Sequence, residues 1–267
     1  MLVSMKKFLE CSPVLLILAV AVAAPAVAAT TRAPGQTYVY NVTIATDERV
    51  DASTLPGAVQ AHVASTMAYA KTHPTEYVVR IGLESVAPNG SAQAHVSFTD
   101  SLLGNGAAMA QMNEFAASFT RDGQLVPAYN ANRKLNPQVQ MSTQDAQNAQ
   151  AGMMGQTFAI FNSFANGCAQ RPHIVSGDTW RVQSSDQYAM SQTFEFAATS
   201  TDAKGVAVTM KSVAQSASGG STVTATGHYD AARGLVLDLR VQNAFSNTAP
   251  NGVSVSGTQT TEVALQP

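Results

Sequence analysis

Charged residues are scarce in this chain of 267 residues, because Lys, Arg, Asp and Glu together make up only 12% of it. That share is about half of what globular proteins usually carry. The 15 basic residues form no cluster. Nucleic acids and anionic lipids are held by clustered Lys and Arg, so we expect no nucleic-acid partner.

Cysteine is also nearly absent, with Cys11 close to the N-terminus and Cys168 in the second half of the chain. Cys11 precedes the first apolar run and therefore falls within the segment that we assign to a leader below. One remaining thiol cannot form an internal disulfide, so the fold must depend on its own core. We interpret Cys168 as a partly buried small side chain beside a helix end, in preference to a catalytic thiol.

Patterns that carry catalysis or bind metals are missing as well. The chain has no Gly-x-Ser-x-Gly elbow, phosphate loop or dinucleotide fingerprint. None of the five histidines stands at zinc-ligand spacing from another ligand type. We therefore expect no enzyme activity, no cofactor and no metal. A hydrolase whose carboxylates converge in space remains the alternative. The histidines are His62, His73, His95, His173 and His228.

The N-terminus has the pattern of a secretory signal peptide. Lys6 and Lys7 precede an apolar run from Val14 to Val22, and Ala26-Val27-Ala28 supplies a small-x-small cleavage site. We assign residues 1–28 to the signal peptide and predict a periplasmic or extracellular location. An uncleaved N-terminal anchor is the alternative. No second apolar run reaches spanning length, so we expect no transmembrane span in residues 29–267.

Apolar and polar residues alternate over much of the remaining chain, as in half-buried strands. Turn signals such as Asn89-Gly90 and Asp122-Gly123 separate these segments. This pattern predicts a mainly β fold bordering on α+β, a curved antiparallel sheet or half-barrel in a single domain. The alternating residues include Tyr38, Tyr40, Val42 and Ile44, then Tyr77 to Leu83, Ala92 to Phe98, and Leu235, Leu237, Leu239 and Val241.

Two segments have helical periodicity instead. Apolar residues recur every four positions between Pro56 and Lys71. A second helix is predicted from Ser142 to Phe164, with Asn166-Gly167 as its C-terminal stop. Its apolar arc of about 160° is wider than one sheet face requires. The residues of that arc are Met153, Met154, Phe158, Ile160, Phe161 and Phe164.

The chain also reads as two related halves, residues 35–130 and 177–267, joined by a helical linker over 142–167. Gly35 to Tyr38 resembles Gly177 to Trp180, and similar hairpins follow each copy. The alternative is that any antiparallel meander repeats a strand–glycine–strand pattern.

The region after the second helix carries Pro172 and then Val175-Ser176-Gly177-Asp178-Thr179-Trp180, which is close to a Val-x-x-Gly-Asp-x-Trp motif. It resembles a family of uncharacterised exported bacterial proteins, and the resemblance implies a shape similar to the curved half-barrel of periplasmic lipoprotein carriers. Physically, the glycine suits a positive-φ turn, the aspartate caps nearby amides, and the tryptophan anchors the core. The motif residues are Pro172, Val175, Gly177, Asp178 and Trp180, and Gly234 belongs to a later stretch that resembles the closing hairpin of the same family.

These features favour a non-catalytic binding or carrier module for an apolar small molecule or lipid. The alternative is a structural or surface-interaction protein of the cell envelope, whose partner is an envelope protein and whose apolar side chains simply fill the core. For the first hypothesis the predicted ligand-lining residues come from the helix and from the strands. They are Met153, Met154, Phe158, Phe161, Val79, Ile81, Phe98, Phe194, Phe196 and Leu237.

Overall fold

A single antiparallel sheet of eleven strands forms the part of the chain that the structure describes. The structure is a computed structural model, and it describes residues 32–99, 114–127, 158–171, 173–185, 191–202, 204–216, 219–249 and 252–267. The sheet confirms the prediction of a mainly β fold. Its strands are β1 (Thr37–Asp51), β2 (Thr75–Val86), β3 (Ala92–Thr99), β4 (Glu114–Phe119), β5 (Leu125–Pro127), β6 (Thr179–Ser185), β7 (Ser191–Asp202), β8 (Gly205–Ser216), β9 (Gly219–Asp230), β10 (Leu235–Thr248) and β11 (Ser254–Leu265).

The strand order is β5-β4-β3-β2-β1-β11-β10-β9-β8-β7-β6, so β11 joins two five-stranded meanders. The two meanders begin with the same hydrogen-bond arrangement. The Gly35 amide donates to the Leu83 carbonyl in β2, and the Gly177 amide donates to the Ala198 carbonyl in β7. A β-bulge follows Leu83 and another follows Ala198. Both halves therefore start and bend in the same way.

Bulges and glycines curve the sheet. A third bulge lies in β10 between Val236 and Asp238, opposite Tyr229 and His228 of β9, and the next residue of β9 is Gly227. A Cβ on Gly227 would lie 2.3 Å from the Asp238 carbonyl oxygen, so only glycine allows this close approach. Bulges bend a strand and increase its twist. The predicted alternation in β10 was wrong at the bulge. Val236 is fully buried there, while Leu237, which was expected to face the core, is only partly buried.

Two helices lie within the described residues, α1 (Gly57–Thr72) and α2 (residues 158–169). The position of α1 agrees with the predicted helix, and it lies beside β1, where Lys71 pairs with Asp47 at 2.8 Å. None of its residues is buried. Residues 1–28, Met153, Met154 and the predicted helix start at Ser142 all lie outside the described residues.

The predicted end of the second helix was wrong, since α2 continues past Asn166-Gly167 to residue 169. Gly167 is inside the helix because the sheet approaches it closely. A Cβ at this position would lie 2.0 Å from Cζ of Phe196 in β7. This glycine serves helix–sheet contact and not helix termination.

Arg32 ties the two halves together at the end of the sheet where β1 begins. Its side chain is 8% exposed, and its guanidinium lies 4.4 Å from the Phe119 ring centroid. Burial lowers the pKa of Arg32 below its ordinary value. The guanidinium donates to carbonyl oxygens of the first β-hairpin turn and of the turns after β4 and β9, at 2.5–3.3 Å. These acceptors belong to Gly90, Thr120, Arg121, Arg233 and Gly234.

Candidate functional site

The candidate site is a cleft of about 470 Å³ between α2 and the face of the sheet that α2 covers, which we term the inner face. Strands β1 and β8 to β11 supply most of its wall. Its apolar part consists mainly of Ile160, Phe161, Val223, Leu239, Val241 and Val263. Its polar part includes Glu48, Gln192, Ser221, Asn243, Gln259 and Thr261.

The strand register explains where apolar and polar side chains line this inner cleft. Leu239 pairs with Val263, and both are buried. Four residues further along β10, away from Arg32, Asn243 pairs with Gln259, and Phe245 lines the cleft two residues beyond. Side chains on one face recur every second residue, so these positions share the inner face. The inner cleft is therefore apolar beside Leu239 and Val263 and mixed polar and apolar toward its open end.

Asn243 has a buried oxygen with no hydrogen-bond partner. Its Oδ1 atom is inaccessible to solvent and unpaired, although the side chain lines the inner cleft. Leaving a buried polar acceptor unsatisfied costs about 1–3 kcal/mol, and such groups are rare in native proteins. Because this oxygen is shielded from solvent, a ligand in the inner cleft does not reach it in this side-chain orientation.

Helix α2 is held at both edges of the sheet. At one edge, the Asn162 amide donates to the Leu125 carbonyl and accepts from the Leu125 amide, each at 2.8 Å. At the other edge, Nε1 of Trp180 donates to the Gly167 carbonyl at 2.9 Å. The Trp180 ring stacks on Phe196 with centroids 5.2 Å apart. These contacts fix the roof of the inner cleft above the sheet.

Among the predicted ligand-lining residues, Phe161 lines the inner cleft. Val79, Ile81 and Phe158 instead surround a space of only about 10 Å³. A site of that size barely holds one water molecule. All three side chains are at least nine-tenths buried, so the structure places them in the packed core.

The other predicted lining residues lie around the periphery of the inner cleft. Phe98 packs on Phe158 with ring centroids 5.9 Å apart. Phe194 and Phe196 are buried on the inner face of β7, and Leu237 packs on the core beside the β10 bulge. None of these four lines the inner cleft. The strand residues that do line the inner cleft were not predicted from the sequence, because polar side chains on the same face interrupt the alternation of apolar and polar residues toward the open end of the sheet.

A second depression, of about 670 Å³, lies at the β6 edge and is lined by Trp180 and Phe196 together with charged residues. The register places Trp180 and Arg181 on opposite faces of β6, and Arg181 pairs with Glu195 at 2.7 Å. This depression therefore wraps around the sheet margin. The inner cleft is the better site because helix and sheet enclose it together.

The motif residues build the start of β6. Gly177 adopts φ +93°, a conformation that favours glycine. Oδ2 of Asp178 accepts from Arg171 Nε and from the Val175 amide, both at 3.2 Å. The Arg171 hydrogen bond, followed by the Val175 amide, lowers the pKa of Asp178. Pro172 lies outside the described residues.

The later motif glycine, Gly234, has φ +63° in the turn after β9. A Cβ there would lie 2.1 Å from the Arg121 carbonyl oxygen. The two turns tied by Arg32 therefore approach each other closely, and Gly234 belongs to that closed end of the sheet.

Outside the inner cleft, the outer face carries a His–Asp arrangement that sequence spacing did not indicate. Nδ1 of His228 lies 2.9 Å from Asp238 Oδ1, and its Nε2 lies 3.7 Å from Asp202 Oδ2. The register that aligns His228 with Asp238 across the β9–β10 hairpin creates the pair. Within the described ranges, no group of three His, Cys, Asp or Glu side chains is placed to hold a metal. Cys168 is fully buried, and burial raises the pKa of its thiol.

Comparison of the chain with family models and with curated proteins finds no match. Of the helical residues described above, none belongs to a helix that is long and apolar enough to cross a membrane. The described residues form an open, curved antiparallel sheet that is covered by a helix, and apolar and polar side chains line a cleft between the helix and the sheet.

Proposed function

We propose that this protein is a non-catalytic binding or carrier module for an apolar ligand or lipid. The observation that carries the proposal is the inner cleft of about 470 Å³ between α2 and the sheet. Small-molecule sites are typically clefts of about 300–1,000 Å³ with mainly apolar walls and a few polar groups. The inner cleft has that size and that distribution.

The apolar wall supplies the driving force for binding. Burying one methylene stabilises a complex by about 0.8 kcal/mol, so even a short alkyl chain gains several kcal/mol before the cost of ordering. Phe161 on α2 lines the inner cleft together with Leu239 and Val263 of the sheet. Because α2 is fixed at both edges, this wall exists before a ligand arrives.

We also propose that the chain is exported through the signal peptide at residues 1–28. Outside the cytoplasm, a water-filled compartment separates lipid sources from their destinations, and a shielding cleft suits transfer across it. The resemblance to a family of exported bacterial proteins, whose expected shape is similar to periplasmic lipoprotein-carrier half-barrels, supports this location. Mass spectrometry of protein from the exporting host tests it, because the N-terminus should lie at Ala29; a retained Met1 in the exported fraction contradicts it.

The binding proposal is tested by titrating the protein purified from an exporting host with an apolar reporter dye. We expect saturable binding. Thr261→Trp should block it by filling the inner cleft, whereas Thr258→Trp, on the outer face of the same strand, should not. Circular dichroism checks the fold of each variant. A folded wild-type protein that shows no saturable binding contradicts the proposal.

A structural or surface-interaction role in the envelope is the second candidate. It is favoured by α1, in which Val59 is 42% exposed and Tyr69 is 65% exposed. A filled space around Phe158 is consistent with it. Photo-crosslinking from position 69 to an envelope protein, together with no ligand binding, would place this candidate first.

A further inference from the structure

We propose that the free edge of strand β6 binds an extended peptide segment in which an acidic residue lies between two apolar residues. The segment adds to the sheet as a further strand. This site lies outside the inner cleft and does not depend on ligand binding there. It is indicated by the contrast between the two edges of the sheet, by the exposed strip of α2 between them, and by a row of charges that ends at Arg181.

The β5 edge of the sheet is closed to a further strand. The Asn162 side chain donates to the Leu125 carbonyl and accepts from the Leu125 amide, so it occupies both backbone groups that an added strand would use. Pro127, two residues further along β5, has no amide hydrogen to offer. Proteins block exposed edges by such means, because an open edge pairs with other chains.

The β6 edge has neither a side-chain cap nor a proline in the part of the chain that the structure describes. The Ala198 amide donates to the Asp178 carbonyl, and hydrogen bonds between antiparallel strands alternate, so the even-numbered residues of β6 bond to β7. The backbone groups of Thr179, Arg181 and Gln183 therefore point away from β7, and no described residue pairs with them. They recur every second residue, as pairing with an added strand requires.

The space beside β6 has the width of one strand. On α2, Asn162 contacts β5, and Gly167 packs against Phe196 of β7. At about 100° per residue, Ala159, which is exposed, and Ser163, which is partly exposed, project between these two contacts. The exposed strip of α2 thus lies between the two sheet edges. A helix is about 10 Å wide and strands lie about 4.8 Å apart, so one added strand fits beside β6, whereas the sheet of a second copy would meet β5.

The strand register aligns a row of charges on the outer face that ends at this edge. Arg181 is opposite Glu195, and Glu195 is opposite Lys211. Arg181 pairs with Glu195 at 2.7 Å, and both side chains are more than half exposed. Glu195 has a cation on either side, whereas Arg181 has an anion on one side only. An acidic side chain opposite Arg181 on the added strand completes the alternation, because opposite charges across neighbouring strands attract each other.

The neighbours of Arg181 in β6 favour apolar residues on both sides of that acid. Trp180 and Val182 project to the inner face, and so do the residues of an added strand that lie beside them. Trp180 is only partly buried and lines the depression of about 670 Å³ at the β6 edge. An apolar side chain placed against its ring removes apolar surface of both from water. The preferred segment therefore alternates apolar, acidic and apolar residues.

The probe is a fluorescein-labelled peptide of about nine residues, with valine, glutamate and valine at its centre and serine elsewhere. Fluorescence anisotropy measures its binding to the full-length exported protein. We expect saturable binding that is about fivefold tighter than that of the same peptide with lysine in place of glutamate. Arg181→Glu should reverse this preference. Arg240→Glu is the matched control and should keep it, because Arg240 pairs with Glu262 on the outer face four strands away from β6.

Gln183→Pro tests the backbone pairing. Proline removes an amide hydrogen that points away from β7, so circular dichroism should show a folded protein. Peptide binding should be at least about tenfold weaker than in Gln183→Ala, which keeps the amide. Hydrogen exchange at the amides of Arg181 and Gln183 should be fast in the protein alone and slow with the peptide bound.

Equal binding by the proline and alanine variants would overturn the proposal, as would a folded wild-type protein that does not bind the glutamate peptide. Slow exchange of these two amides without peptide would also overturn it. If that protection rises with protein concentration and sedimentation shows a dimer, a second copy occupies the β6 edge instead.

Discussion

Arg32→Lys should destabilise the protein although it keeps the positive charge. The Arg32 guanidinium donates to five carbonyl oxygens from three turns. A lysine ammonium has three donors on one atom and lacks the planar fork that reaches all three turns, so we expect about two of these hydrogen bonds to be lost. Hydrogen bonds to charged groups contribute about 1.5–3 kcal/mol each, giving a loss of about 3–6 kcal/mol.

Rehydration of turn carbonyls near the surface reduces this value, and we expect a net loss of about 3 kcal/mol. For a chain of this size that corresponds to a fall in Tm of about 6–12 °C. Urea unfolding and thermal unfolding measure both quantities. Arg49→Lys, at an exposed position, is the control and should change stability by less than about 0.5 kcal/mol.

Dye binding should survive in Arg32→Lys, because Arg32 lies at the end of the sheet opposite the row of Asn243 and Gln259 in the inner cleft. An Arg32→Lys protein as stable as the wild type would refute the assignment of Arg32 as the tie between the two halves.

Three further predictions follow from single side chains. Trp180→Ala should lower the free energy of unfolding, measured in urea, by about 2–4 kcal/mol, because it removes a half-buried ring and the hydrogen bond to Gly167. A loss below about 1 kcal/mol, the typical cost of any substitution, would contradict the anchoring role of Trp180. The pKa of Asp178 is lowered, so its stabilisation is present above the ordinary value of 3.8 and is lost as the pH falls through the folded pKa. Asp178→Asn should therefore remove part of the acid dependence of unfolding below pH 3.8, and an unchanged acid profile would count against the Arg171 contact. Cys168 should react with a thiol reagent only after unfolding, because its pKa is raised by burial; rapid labelling of the native protein would show otherwise.

Alternation in the sequence was enough to predict which faces of the first strands are buried. Tyr38, Tyr40 and Val42 in β1 are at most 6% exposed, and Val79 and Ile81 in β2 are 1% exposed. The prediction succeeds because one face of each strand packs against the core and the other meets water.

Features created by contacts between distant segments could not be predicted in this way. The end of α2 was misplaced because Gly167 looks like a helix stop until the Phe196 ring is seen against it. The β10 bulge shifts Leu237 away from the expected alternation. Arg32 carries no motif, and its acceptors are backbone atoms up to 202 residues away.

The inner cleft was only partly predicted for the same reason. Phe161 was expected to line it, but Asn243 and Glu48 lie on strands far apart in the chain and read as ordinary polar positions. Only the register of β10, β11 and β1 brings their rows together under α2.

Photolabelling can locate an apolar ligand bound between α2 and the sheet. An amphiphile with a photoreactive group in its alkyl chain is bound to the exported protein, irradiated, and mapped by mass spectrometry. We expect saturable labelling of Phe161, Val241 and Val263, which is lost in Thr261→Trp. Labelling confined to the exposed helix α1, or unaffected by Thr261→Trp, would contradict it.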